Sequence, residues 1–376
     1  VKVPNTEWTI ILKSNTSAWQ ASFNPGGLAT GIGSLPFTDA HESVRFVRKH
    51  LPQMPHWPQM PRLGRQEHFI FQCLKPLVDT GLIVEKNGKY FFDTSRADWP
   101  DLLTGFYTIS LAAEAGDPDA FDHFVPPMEA ARGFHALLND IQTRGPQGIK
   151  YIKGQIVGPL TAGFQLKDEK GRYAYYQDVL RDVIVRTLAQ GARCQASLLS
   201  QFGAPAVIFV DEPGVAAYGS AHYLPLSREM IIGDLNALSH AIHAGNALAG
   251  VHACEAVDWT LLFESDLDIV SLDAYRYGNS LFYYPLEIKA FLEKGGALAW
   301  GIVPTLDDPF SEDVVSLFTK LERLIARLVG CGLSREKILS QSMITPACGT
   351  GLLSGKQAKR IYELTTGLSE KVISNV

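Results

Sequence analysis

The chain lacks any apolar run long enough to span a bilayer; its longest runs are cut short by charge or glycine. It also lacks a Lys/Arg-rich stretch. The 34 basic residues stand against 39 acidic ones, for a formal net charge of −5. That balance argues against nucleic acid as a main partner and gives no attraction to an anionic membrane surface. Residues 1–25 have no basic segment followed by an apolar core, so no secretory signal is expected. Cysteine is scarce. Cys73, Cys194, Cys254, Cys331 and Cys348 are odd in number and irregularly spaced, which fits a reducing cytoplasm rather than a disulfide framework. No P-loop is present. The nearest approach to a dinucleotide fingerprint, Gly31-Ile32-Gly33-Ser34-Leu35-Pro36, puts proline where the third glycine belongs.

What is present is a 376-residue chain, 46% hydrophobic, with ample material for a large core. Strand-length apolar runs alternate with helix-period segments. Strands are expected at Leu28–Gly33, Tyr151–Val157, Ala206–Val210, Leu248–Val251, Ile269–Leu272, Ala297–Ile302 and Ile338–Ile344, with a weak, proline-interrupted one at His56–Met60. Helices are expected over Pro126–Ile141, Tyr175–Leu199, Ser227–Ile242, Pro285–Lys294, Glu312–Leu328 and Lys356–Leu368, and from an Asp39 cap through Leu51. Residues 80–123 fit the alternation poorly; Ile83–Phe92, with Asn87-Gly88 at its centre, reads as a hairpin insertion. The repeated strand–helix order gives about eight units and predicts an α/β fold, a (β/α)8 TIM barrel over residues 28–376 after an N-terminal extension of residues 1–27. In such a barrel the active site lies at the C-terminal ends of the strands.

The chemistry-bearing residues fall at those ends. His252-Ala253-Cys254 follows one apolar run, and Pro346-Ala347-Cys348-Gly349 follows another. Residues i and i+2 of a strand face the same way, so His252 and Cys254 are placed to address one ion. Asp273, at the end of the next strand, is placed to add an oxygen ligand or hold a water. Three protein ligands and an exchangeable position is the pattern of a catalytic zinc site, and two thiolates suit it to activating a thiol. A cysteine at a strand end is also a common packing residue, and the pattern leaves both roles open. Cys73, Cys194 and Cys331 lie in helix-like segments and read as structural.

Five ordered blocks then carry a resemblance. They are Gly31-Ile32-Gly33-Ser34-Leu35-Pro36, Gly158-Pro159-Leu160-Thr161, Val210-Asp211-Glu212-Pro213, His252-Ala253-Cys254 and Pro346-Ala347-Cys348-Gly349. Together they resemble the catalytic domain of cobalamin-independent methionine synthase, within the superfamily that also holds uroporphyrinogen decarboxylase. The resemblance implies zinc (Zn2+) held by His252, Cys254 and Cys348, with the family's glutamate position falling on the shorter Asp273. It implies a homocysteine carboxylate held at Ile32, Gly33 and Ser34 and its amino group at Asp211, which makes Asp211 and Asp273 the candidate catalytic carboxylates.

Three departures from the family pattern matter. Only a short segment precedes the first block, where the family carries a large folate-assisting domain. The stretch Gly301-Ile302-Val303-Pro304-Thr305 lacks the family's histidine. No second acidic contact to the amino group can be placed. These departures favour a methylated corrinoid, free or on a corrinoid protein, over folate as methyl donor. His56–Arg65 is distantly similar to an arginine block of uroporphyrinogen decarboxylase, so Arg62 and Arg65 are expected either to hold carboxylates or to begin a solvated helix. Two further readings stand beside the methyltransferase: a metal-free tetrapyrrole decarboxylase with an arginine-lined pocket, and a non-catalytic corrinoid- or amino-acid-binding barrel.

Overall fold

The computed structural model describes residues 23–86, 88–220 and 226–375. Of the expected extension 1–27, residues 1–22 therefore lie outside the described residues, as does Asn87 of the hairpin.

The fold is mixed α/β. Its main sheet is a parallel one built from β1 (Leu28–Ala29), β4 (Ile152–Val157), β5 (Ala206–Asp211), β6 (Ala247–Ala253), β7 (Ile269–Leu272), β8 (Ala297–Val303) and β9 (Ser342–Pro346). β2 (Ile83–Lys86) and β3 (Lys89–Phe92) form the expected antiparallel hairpin apart from it, with Gly88 in the left-handed region at φ 71°. The spatial order β1-β9-β8-β7-β6-β5-β4 brings the first strand against the last, so the sheet curls.

The expected eighth strand is not one. Residues 55–60 run between the two sheet edges, bridged to each at single points. The Trp57 N–H donates to the Lys153 carbonyl at 3.2 Å, and the Gln59 N–H donates to the Gly33 carbonyl at 3.1 Å. Pro55, Pro58 and Pro61 explain the difference: a residue without an N–H cannot sustain a ladder. The described structure is thus a curled seven-stranded sheet whose edges are bridged by an irregular segment. The expected strand at Leu28–Gly33 likewise shortens to two residues. A Cβ on Gly31 would lie 2.4 Å from His56 Nε2, so the backbone there turns aside to pack against that segment.

Every residue of β4 to β9 is buried, because helices cover the outside and side chains fill the inside. The inward face follows the two-residue period. Phe23, Met54, Val207, Phe209, Leu248, Ile269, Ala297, Ala299 and Met343 form an apolar floor. Two to four residues further along the same faces come Asp211, His252 and Ser271, in register with one another on β5, β6 and β7. The helices are close to expectation. Asp39 caps Ala40–His50 and Ser227 caps Arg228–Ala244. The helix expected from Pro126 begins only at Arg132. Ile338 belongs to a short helix, Arg335–Ser340, capped by Ser334, and the strand starts after it. Trp99–Glu114 is a helix without a counterpart in the sequence reading; its apolar residues are spread around it and give little periodicity. No helix of the described residues is long and apolar enough to cross a membrane.

Candidate metal and substrate site

The C-terminal mouth of the sheet gathers the residues singled out by sequence. His252 lies on β6 and Cys254 two residues on; Cys348 lies two residues past the end of β9. One ligand atom from each of the three falls within 4.8 Å of the others. Local packing holds them there. His252 Nδ1 is 3.0 Å from the Ser271 hydroxyl, while its buried Nε2 has no hydrogen-bond partner among the described residues. The Ala347 N–H donates to the Val303 carbonyl at 2.8 Å, seating Cys348 beside a bulge in β8. Gly301 permits that approach, since a Cβ there would lie 2.9 Å from Ala347 Cα.

The Cys254 thiol lowers the pKa of Cys348, with His252 assisting, and the same contact raises that of Cys254. Two half-buried sulfurs and an imidazole nitrogen without a hydrogen-bond partner fit a soft, four-coordinate cation such as Zn2+. Asp273 does not join them. Its buried carboxylate accepts the Arg276 N–H at 2.9 Å and caps the helical turn Ala274–Tyr277. Burial pushes this carboxyl up to about 6, against the pull of the Arg276 amide. Arg276 in turn holds Asp307 through Nε and Nη2, at 2.9 and 3.0 Å. Asp273 thus lies outside the His252–Cys254–Cys348 cluster and serves as a helix cap.

A cavity of about 310 Å³ opens over the cluster. Ile32, Ser34, Asp211, His252, Cys254 and Cys348 all line it; Gly33 and Asp273 do not. Ser34 ties the first block to the last. Its hydroxyl accepts the Gly351 N–H at 3.1 Å, and its carbonyl accepts the Thr350 N–H and hydroxyl at 3.0 and 2.9 Å. A Cβ on Gly349 would sit on the Ser34 hydroxyl, so the glycine after Cys348 is a requirement of this contact.

Asp211 is 7% exposed, and its Oδ1 lacks a hydrogen-bond partner. Burial pushes its carboxyl up to about 6, opposed by Lys153 and His252. Glu212 faces away from the cavity. Its carboxylate accepts the N–H groups of Leu160 and Thr161 at 2.9 and 2.7 Å, joining the Asp-Glu-Pro and Gly-Pro-Leu-Thr blocks.

Arg62 and Arg65 hold protein rather than a ligand. Arg62 donates to the Leu353 carbonyl at 2.7 Å. Arg65 donates to the Gly88 carbonyl and lies over the rings of Phe71 and Tyr90 at 4.5 and 4.3 Å. Both are exposed and sit at the starts of short helical turns, Pro61–Leu63 and Arg65–Glu67, as the solvated-helix expectation has it. Of the cysteines read as structural, Cys194 is buried and Cys73 partly so, whereas Cys331 is exposed at the end of the helix Val314–Gly330.

Sequence reasoning missed three polar side chains. Gln59 and Glu67 line the cavity and are almost wholly buried, each with an unpartnered atom, Gln59 Nε2 and Glu67 Oε2. Lys153 is fully buried on the inward face of β4. Its ammonium donates to the Ile32 carbonyl at 2.7 Å and to Gln155 Oε1 at 3.2 Å, with Phe209 ring-on at 4.6 Å. Burial lowers its pKa to about 7, and Asp211 opposes that fall. The one available signal was Lys153 itself, a charge inside an otherwise apolar strand-length run.

No protein-family model matches the chain, and no curated protein matches it. Among solved structures, it is similar to a B12-independent methionine synthase from Shewanella sp. W3-18-1 in complex with selenomethionine, with a TM-score of 0.46 and 16% identity over 63% of this chain and 67% of that one. It is also similar to a 3-keto-D-glucoside 4-epimerase from E. coli (TM-score 0.36, 11% identity, 65% and 85% covered). A third likeness is to a modular endo-β-1,4-mannanase from Cellulomonas fimi (TM-score 0.35, 16% identity, 63% and 57% covered).

Proposed function

We propose that this chain is a zinc-dependent S-methyltransferase that moves a methyl group from a methylated corrinoid to homocysteine, giving methionine. The observation that carries the reading is the convergence of His252, Cys254 and Cys348 within 4.8 Å in the wall of a cavity. His252 through Nε2 and the two cysteine sulfurs would hold the metal. When bound, zinc lowers the pKa of a coordinating thiol and keeps its thiolate available for attack.

The chain's own residues do the rest. Ser271 fixes the His252 ring through Nδ1, so that Nε2 faces the cluster. Asp211 and Glu67 line the cavity and each carries a buried oxygen without a hydrogen-bond partner, a pairing suited to an ammonium group. Ile32 and Ser34, in a block pinned by Lys153, Gln59 and Thr350, line the same cavity. Held in this cavity, homocysteine gives its S–H proton to solvent water. Its sulfur forms a bond to the methyl carbon, and the donor's bond to that carbon breaks with both electrons left on the donor. Orientation is the main service the protein provides, because a bound thiol and a presented methyl need only line up.

On this reading the partners are homocysteine and a corrinoid or corrinoid protein, and the compartment is the cytoplasm, where thiols stay reduced. The tetrapyrrole-decarboxylase alternative calls for an arginine-lined pocket, and no arginine is among the described residues lining the cavity. The test is metal content of the purified chain together with methionine formation from homocysteine and methylcobalamin. One zinc per chain with product is the expected result. Zinc-free protein that leaves both reactants unchanged overturns the reading.

A further inference from the structure

The cavity has two chemically distinct sides. Asp211 Oδ1 and Glu67 Oε2 are acceptors without donors, whereas Gln59 Nε2 is a donor without an acceptor. A buried polar atom left alone is costly, and unpartnered atoms of both senses on side chains that line one cavity fit a ligand that carries both senses. Gln59 is 3% exposed. Its backbone is fixed on both sides: its N–H donates to the Gly33 carbonyl at 3.1 Å, and its carbonyl accepts the Leu35 N–H at 2.8 Å. A Cβ on Gly33 would lie 2.8 Å from Gln59 Oε1 and 2.9 Å from Gln155 Cδ, so only glycine leaves the amide its place.

Behind Gln59 stands the buried ammonium of Lys153. It reaches the same block through the Ile32 carbonyl and, through Gln155, the Trp57 carbonyl, which accepts Gln155 Nε2 at 3.0 Å.

We propose that Gln59 is a specificity-determining residue: its side-chain amide donates to the substrate's carboxylate, so that the site selects an α-amino-acid zwitterion over a thiol that has only the ammonium. This rests on the methyltransferase reading given above and names a feature of its substrate class.

The test compares homocysteine with 3-aminopropanethiol, which keeps the thiol and ammonium and lacks the carboxylate. Dissociation constants are measured by calorimetry on zinc-loaded full-length chain, for the parent and for Gln59→Met. The expected result is about a tenfold weaker grip on homocysteine in the variant, the worth of one hydrogen bond to a charged group, with 3-aminopropanethiol unchanged. In turnover with methylcobalamin, KM for homocysteine rises by the same factor and kcat stays level. Gln59→Glu keeps the shape but replaces the amide donor with a negative charge, so it is expected to bind 3-aminopropanethiol better than homocysteine; it carries the test where the Met variant does not fold. Equal losses for both thiols, in a chain that still transfers methyl, overturn the role of Gln59 alone. A parent chain with no zinc, no thiol binding and no transfer overturns both proposals.

Discussion

The Glu212 carboxylate grips Thr161. One of its oxygens accepts both the Thr161 N–H, at 2.7 Å, and the Thr161 hydroxyl, while the other accepts the Leu160 N–H at 2.9 Å. The glycine preceding this pair is bound up in the same contact, since a Cβ on Gly158 would sit on Glu212 Oε2. Asp211 is therefore aimed at the cavity by a neighbour that is locked to a different strand's loop.

That lock predicts a large stability effect outside the site. Glu212→Ala strands three buried donors and is expected to cost about 3 kcal/mol or more. Chemical denaturation followed by tryptophan fluorescence measures it. A cost below about 1 kcal/mol would show that water or a rearranged loop takes over those donors.

Metal binding separates ligands from bystanders. Cys254→Ser, Cys348→Ser and His252→Ala are expected to purify with little zinc. Ser271→Ala, which loses only the partner of Nδ1, is expected to weaken zinc about tenfold. Asp273→Asn, which still accepts the Arg276 N–H as a helix cap, is expected to keep the parent's zinc affinity and stability. Titration with a chromophoric chelator reads all five; a loss of zinc from Asp273→Asn matching that of a cysteine variant would return the aspartate to the ligand set.

Glu67 links stability to pH. Burial raises its carboxyl to about 7 from an ordinary 4.5, opposed by the Arg132 N–H and guanidinium. The folded chain therefore holds that proton more tightly than the unfolded chain does. The associated stability is full below about pH 4.5 and is lost as pH rises through about 7. Glu67→Gln keeps an acceptor and cannot ionise. Relative to the parent it is expected to gain up to about 3 kcal/mol between pH 5 and pH 8, a difference that cancels the parallel titration of Glu212. Thermal midpoints of the two proteins across that range supply the comparison; parallel curves would mean that Glu67 titrates normally.

Arg62 anchors the loop that follows Cys348 through the Leu353 carbonyl. Arg62→Ala is expected to raise KM for homocysteine about two- to tenfold with kcat and zinc content held, the cost of one surface hydrogen bond expressed in loop position. Unchanged steady-state kinetics would show that the loop holds without it.

The parts of the site legible in sequence were those carried by a period or a fixed offset. His252 and Cys254 share a face because strands repeat every two residues, and Cys348 sits after an apolar run as they do. Glu67 was illegible because it lies in a short helical turn, Arg65–Glu67, among residues with no periodicity. Gln59 was masked by the prolines that make its segment irregular, and Lys153 by a strand in which one buried charge looks like one exposed residue. The eighth strand failed for the same reason: apolar content survives the prolines of 55–61, but the hydrogen-bond ladder does not. Asp273 was placed correctly at a strand end, yet whether a carboxylate there reaches a metal or caps the next turn depends on a few tenths of a nanometre that spacing does not encode.

The bond between Ser34 and Gly351 joins positions 317 residues apart. Contacts of such separation form late, after shorter loops have closed. A growing chain can fold its middle strands and helices long before Cys348 exists to meet His252. Retention of zinc by His252, Cys254 and Cys348 is therefore expected to report completed assembly, which a chain ending before Cys348 cannot reach.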